Sequence, residues 1–137
     1  MPLSIISGPI IAAGESLSDG VDVSAGKIVR ITTPGGWDAA NLTFQISSDG
    51  ASGYNDMYDA QGNEITVVTR GDNSAIIVHE RWTHAINFIK FRSGTAKHPV
   101  EQQEDREFAI AIETDEAPAA EGASRAGTDM GARGRAS

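Results

Sequence analysis

The sequence predicts an all-β protein, an antiparallel β-sandwich of about eight strands followed by a flexible C-terminal tail. Three observations carry that expectation. Short runs of β-forming residues recur at regular spacing between Gly, Asp, Asn and Pro, none of them sustains a helical period, and residues 41–47 alternate strictly. In that last run Leu42, Phe44 and Ile46 fall on one side of an extended chain, and Thr43, Gln45 and Ser47 on the other. One side seeks a core and the other seeks water.

Taken in order, the first run covers residues 4–12, where Ile5, Ile6, Ile10 and Ile11 read as an opening strand interrupted by Gly8 and Pro9. It is too short to cross a bilayer and no basic residue precedes it, so neither a membrane span nor a secretory leader is expected; the chain is expected to stay in the cytoplasm that makes it. Further strands are expected over 15–23, 27–33, 41–47, 56–59, 64–68, 75–79, 87–92 and 107–113. The pairs Asp19-Gly20, Ala25-Gly26, Asp49-Gly50 and Gly62-Asn63 supply residues that tolerate positive φ and suit hairpin turns. One segment admits two readings. Trp82, Ala85, Ile86 and Ile89 share one face of a helix, but Thr83, Asn87 and Phe88 weaken it and the β-formers favour a strand. As a strand it places Ile86 and Phe88 opposite Ile89 and Phe91, which implies burial on both faces or a bulge.

The sandwich domain is thus expected over residues 1–113, with residues 1–13 acting either as the first strand or as a docking arm. Residues 114–137 read TDEAPAAEGASRAGTDMGARGRAS, an Ala/Gly-rich stretch whose few large apolar groups cannot offset its ordering entropy. Its four acids and three arginines exclude a polybasic arm, leaving a solvated tail or a peptide that orders against a neighbouring subunit.

Composition narrows the function. The 137 residues suit one domain, the absence of cysteine removes disulfides and thiolate metal sites, and a net charge of −8 repels phosphate backbones. No nucleic-acid or membrane partner is expected. His79, His84 and His98 lie in separate runs without the paired spacing of a zinc site, so no metal and no cofactor is expected. Asp49, Asp56, Asp59 and Glu64 form an acidic cluster that a hard cation would suit, but their spacing is not that of a calcium loop, and aspartates also start turns. The same carboxylates offer an acid/base couple only if the fold sets them across a cleft. Ser16 and Ser52 lack the nucleophile elbow and no phosphate-cradling loop is present, so no catalytic residue is named and the protein is expected not to be an enzyme. Arg70-Gly71-Asp72 and the sequon Asn41-Leu42-Thr43 are three-residue patterns that arise by chance. The aromatic residues give the one binding candidate. Trp37 and Tyr54 follow glycines on loops and, with Tyr58, form a candidate stacking platform for a sugar; the alternative is that Trp37 and Trp82 plug the open ends of the core.

Three segments, WDAANLTFQISSDG, YNDMYDAQGNEITV and INFIKFRSGT, together resemble a small β-sandwich protein of the structural gene modules of tailed bacteriophages and prophages. The resemblance spans residues 21–113, and the family is similar in outline to discoidin-like and carbohydrate-binding sandwiches. The matched positions, among them Trp37, Phe44, Asp49, Gly50, Tyr54, Tyr58, Asp59, Arg92 and Gly94, imply core, turn and strand-end roles and no catalytic or ligand-binding residue. The implied fold is a jelly-roll or discoidin-like sandwich. The implied function is a non-enzymatic virion protein, a capsid decoration or cement subunit that binds the outside of the major capsid lattice and neighbouring copies of itself. Its expected location is the capsid surface, after assembly in the host bacterial cytoplasm. The alternatives are a module that recognises host-surface glycan and a head-tail or tail accessory protein.

Overall fold

The computed structural model describes residues 2–114, which build two antiparallel four-stranded sheets. In chain order the strands are β1 (Leu3–Ile11), β2 (Val21–Asp22), β3 (Gly26–Thr32), β4 (Leu42–Ser47), β5 (Asn55–Asp56), β6 (Ala75–Ile77), β7 (Phe88–Ser93) and β8 (Arg106–Thr114). The first sheet has the order β1-β8-β3-β6 and the second β2-β7-β4-β5. A single winding produces both. β1 pairs with β8, β2 with β7, β3 with β6 and β4 with β5, as in one long hairpin that has been rolled up; β3·β8 and β4·β7 pairing closes the sheets. That path is a jelly roll. The tail expected over 114–137 lies outside the described residues except for Thr114, which ends β8.

The alternation seen in the sequence sets the core. Leu42 and Phe44 of β4 are fully buried, as are Ile89 and Phe91 of β7, and the register places Phe44 directly opposite Phe91. From the first sheet, Ile28, Ile31, Phe108, Ile110 and Ile112 close over them. A file of rings crosses the interior: Trp37 to Phe108 at 5.2 Å, Phe108 to Phe91 at 5.0 Å, Phe91 to Phe44 at 5.2 Å and Phe44 to Trp82 at 5.2 Å. Most of these contacts are edge-on, the arrangement that ring quadrupoles favour.

Several expected strands are shorter than their sequence pattern. Residues 15–23 yield only Val21–Asp22 and a bridge from Leu17 to Arg92, because Ser18 Oγ accepts the Phe91 N–H and Asp19 turns back to bond Ile10. Residues 64–68 give isolated bridges, Tyr58 to Glu64 and Leu42 to Val67, and residues 56–59 shrink to Asn55–Asp56. The ambiguous segment splits. Arg81–Ala85 forms a 3-10 helix and Phe88–Ser93 the strand β7, so each reading holds over part of it. Both faces of β7 are covered without a bulge: Ile89 and Phe91 point inward, and Phe88 lies against Gly50, where a Cβ would sit 2.7 Å from the ring. Residues 3–11 are the first strand, paired with β8 along its length and anchored by buried Ile11, which displaces the reading of this segment as a free docking arm.

Candidate functional site

The candidate sugar platform does not assemble. Trp37 is 6% exposed, stacks edge-on against Phe108, and donates its indole N–H to the Ala40 carbonyl at 3.1 Å and to Thr69 Oγ1 at 3.3 Å. It is an end plug, which corrects its assignment as a binding residue. A large ring with one polar atom suits a core end where a carbonyl can receive that atom. Tyr54 is half-buried on the outer face of the second sheet, with the Lys90 ammonium 4.5 Å from its ring centre and its hydroxyl donating to the Gly50 carbonyl at 3.4 Å. Only Tyr58 presents its ring to solvent, at 52% exposure. It borders a cleft of about 310 Å³ lined also by Ser47, Ser48, Asn55, Asp56 and Asn87.

The acidic cluster serves the fold. On the outer face of the second sheet, Arg92 donates Nε to Thr43 Oγ1 at 3.0 Å, Nη1 to Asp56 at 2.8 Å and Nη2 to Glu64 at 2.7 Å. The Arg92 side chain keeps 7% of its surface exposed, so the two carboxylates replace the water it has lost. Thr43 passes the network on by donating to the Gly94 carbonyl at 2.7 Å, and Glu64 accepts the Ala96 N–H at 3.0 Å. The Arg92 hydrogen bond holds the Asp56 carboxyl below its ordinary value. Asp49 and Asp59 close turns: Asp49 accepts from Ala51 and Ser52, Asp59 from Gln61 and Asn63, and these backbone donors lower both carboxyl pKa values. The four groups thus serve two separate tasks, pairing with arginine and turning the chain.

A second buried knot escaped the sequence reading. Gln102 is 0% exposed and uses all four amide positions: Oε1 accepts from Asp38 N and Arg106 Nε, while Nε2 donates to the Asp38 carbonyl and Ser93 Oγ. Arg106 also reaches Asp38 Oδ2 at 3.4 Å. Nothing in the run Glu101–Asp105 marks Gln102 as buried, because its enclosure depends on Asp38, 64 positions away, as well as on nearby Ser93 and Arg106. Of the three-residue patterns, Thr43 of the sequon is fully buried and Asp72 accepts the Gly36 N–H at 3.1 Å, which places both motifs in structural roles.

The remaining surface that departs from an ordinary polar exterior is the outer face of the first sheet. Because Ile110 and Ile112 point inward, Ala109, Ala111 and Glu113 of β8 point out, and the register brings Leu3 beside Glu113 and Ile5 beside Ala111. On the other side of β8 the face carries Lys27, Arg30 and Thr32, and beyond them Ala75 and Ile77 of β6. Leu3 and Ile5 are each 55% exposed, Ile10 41% and Ile77 59%. Beside Ile77 opens a cleft of about 310 Å³ of mixed polarity, lined by Thr66, Val67, Val68, Ile76, Glu80 and Trp82. The sequence marks residues 4–12 as a strand, but only the winding makes β1 an edge and turns Leu3 and Ile5 outward.

Among the described residues no helix is long and apolar enough to cross a membrane, and no His/Asp/Glu group is arranged to hold a metal ion. Comparison of the chain with protein-family models, curated proteins and solved structures finds no match in any of the three.

Proposed function

We propose that the protein is a non-enzymatic structural subunit of a tailed-bacteriophage particle, a decoration or cement protein seated on the outside of the major capsid lattice. The observation that carries this reading is the two-sided surface. One outer face offers Leu3, Ile5, Ile10 and Ile77 to a partner, while the opposite face is polar and internally bonded through Arg92 and Lys90. A lattice repeats one binding surface many times, so modest contacts from each copy suffice for full coverage. The phage-like segments around Trp37, Tyr54 and Arg92 support the same reading, and jelly rolls serve virion shells as well as sugar-binding domains. The partners are then the major capsid protein and neighbouring copies of this chain. Deleting residues 1–13 would remove a whole strand, so the clean test is substitution. Leu3→Lys with Ile77→Lys is expected to empty purified particles of this protein while its circular dichroism stays unchanged. Full occupancy by that variant would reject the surface. A copy number of about a dozen per particle, the count of a symmetry-matched ring, would move the subunit to the neck.

Exposed Tyr58 beside its polar cleft favours a second reading, a module that recognises host-surface glycan. It requires glycan-array binding by the isolated protein that Tyr58→Ala abolishes and Trp37→Phe leaves intact.

A further inference from the structure

The four sheet edges are unequal. β6, β2 and β5 have three, two and two residues, lengths too short to template another strand, whereas β1 runs for nine. Natural edges of such length usually carry a charge or a covering loop. The stretch from Met1 to Gly14 contains no charged side chain, in a chain whose net charge is −8.

Backbone direction along β1 follows from one bond. Thr114 donates to the Pro2 carbonyl at 3.1 Å, and Pro2 precedes the Leu3–Glu113 pair in register, so residues 2, 4 and 6 face β8. The N–H and C=O groups of Leu3, Ile5 and Ser7 therefore point away from the sheet. Among the described residues no strand lies beyond them. Past Ser7 the register shifts, and Asp19 occupies the edge at Ile10, accepting its N–H at 3.0 Å and donating to its carbonyl at 3.4 Å. The open window is Leu3–Ser7.

We infer that this window pairs with the same window of a second copy, antiparallel about a two-fold axis at Ile5, to form a dimer with one continuous eight-stranded sheet. Ile5 then faces Ile5 of the second copy, and Leu3 faces Ser7, each pair exchanging both backbone bonds. The window is its own complement. Its outward groups recur at every second residue, its side chains carry no charge to repel one another across the axis, and on the shared outer face Ile5 meets Ile5 while Leu3 lies opposite Ser7 and diagonal to Ile5 of the second copy. Elsewhere the acidic surface sets copy against copy, which favours association through the one long uncharged edge. The pairing rests on the part of the proposed function in which copies touch, and it stands whether or not the particle is a capsid.

Sedimentation of the purified full chain tests it directly, with a species of twice the 14.4 kDa chain mass expected. Ile5→Lys places like charges face to face on the axis and is expected to weaken the dimer by at least tenfold in dissociation constant. Ile5→Pro removes a donor that β8 does not use and is expected to do the same with an unchanged circular-dichroism spectrum. Because the chain has no cysteine, Ile5→Cys is expected to cross-link to itself on mild oxidation, and Ile10→Cys to stay monomeric. A wild-type monomer at millimolar protein overturns the inference. So does a dimer that persists in Ile5→Lys or cross-links at Ile10. Capsid occupancy is read in a separate assay, so loss of the dimer and loss of the virion role are told apart.

Discussion

The two outer faces of the sandwich handle polarity in opposite ways. On the second sheet a buried arginine gathers carboxylates from residues 36 and 28 positions away, and a lysine covers a tyrosine ring. Its groups satisfy one another. On the first sheet the charged side chains, Lys27, Arg30 and Glu113, stand on the central strands, with Lys27 and Glu113 3.6 Å apart and more than a quarter exposed, and apolar side chains occupy the edge. Such an exposed pair contributes little. The lesson is that the groups of the second face bond to one another, whereas the first leaves apolar side chains exposed along its edges.

The largest expected effect breaks the second face. Arg92→Ala strands Asp56 and Glu64 beside a buried threonine, and loss of one partner from a buried ion cluster costs roughly 3–5 kcal/mol. The low end is expected, because Asp56 keeps 34% of its side chain in water. Urea denaturation reads the change, and Glu64→Gln in the same chain should recover part of it if the groups act as a unit.

Gly94→Ala follows. Gly94 has φ +89°, and a Cβ there would sit 2.8 Å from Val100 N, with the His98 carbonyl nearer still. A side chain forced into that backbone region costs about 1–3 kcal/mol, and the Thr43 bond to the Gly94 carbonyl would shift with it. A thermal melt that matches wild type would separate this loop from the Arg92 network.

Acid sharpens the contrast further. The carboxyls of Asp49, Asp56 and Asp59 titrate below their ordinary 3.8 in the folded state, so the unfolded chain takes up protons first as the pH falls. Their stabilisation is fully present above that value and disappears as the pH drops through the lowered folded values. Urea midpoints should therefore hold from neutral pH to about 5 and then decline. Asp56→Asn should start lower at neutral pH and decline less steeply, because it lacks the proton uptake that Arg92 opposes.

The smallest effect on the monomer belongs to the first face. Leu3→Lys or Ile5→Lys removes only half-exposed apolar surface and should move the monomer's stability by about 0.5 kcal/mol or less. A large loss in dilute monomer would mean that this face is already part of the folded unit, and the contrast between the faces would collapse.

Much of the body was legible from residue order. Alternation in 41–47 placed Leu42 and Phe44 inside, and Asp49-Gly50 and Gly62-Asn63 mark turns that the chain makes. Strand ends were less legible, since residues 15–23 and 64–68 have β-forming composition but lose ladder bonds to Ser18, Asp19 and single bridges. The candidate platform failed for the same reason. Of the two readings that the sequence leaves for Trp37, platform and plug, the plug holds, because Phe108, far along the chain, receives the ring.

What residue order determines by itself is what neighbours in the chain can decide: a two-residue alternation, a turn that needs positive φ, and the fourteen positions at the start without charge. Tertiary structure alone decides which strand lies at an edge, that Gln102 is enclosed, and that Arg92 meets Asp56 and Glu64. The physical reason is range. Backbone preferences act over a few bonds, whereas pairing partners and burial depend on segments that the jelly-roll winding brings together from opposite ends of the chain.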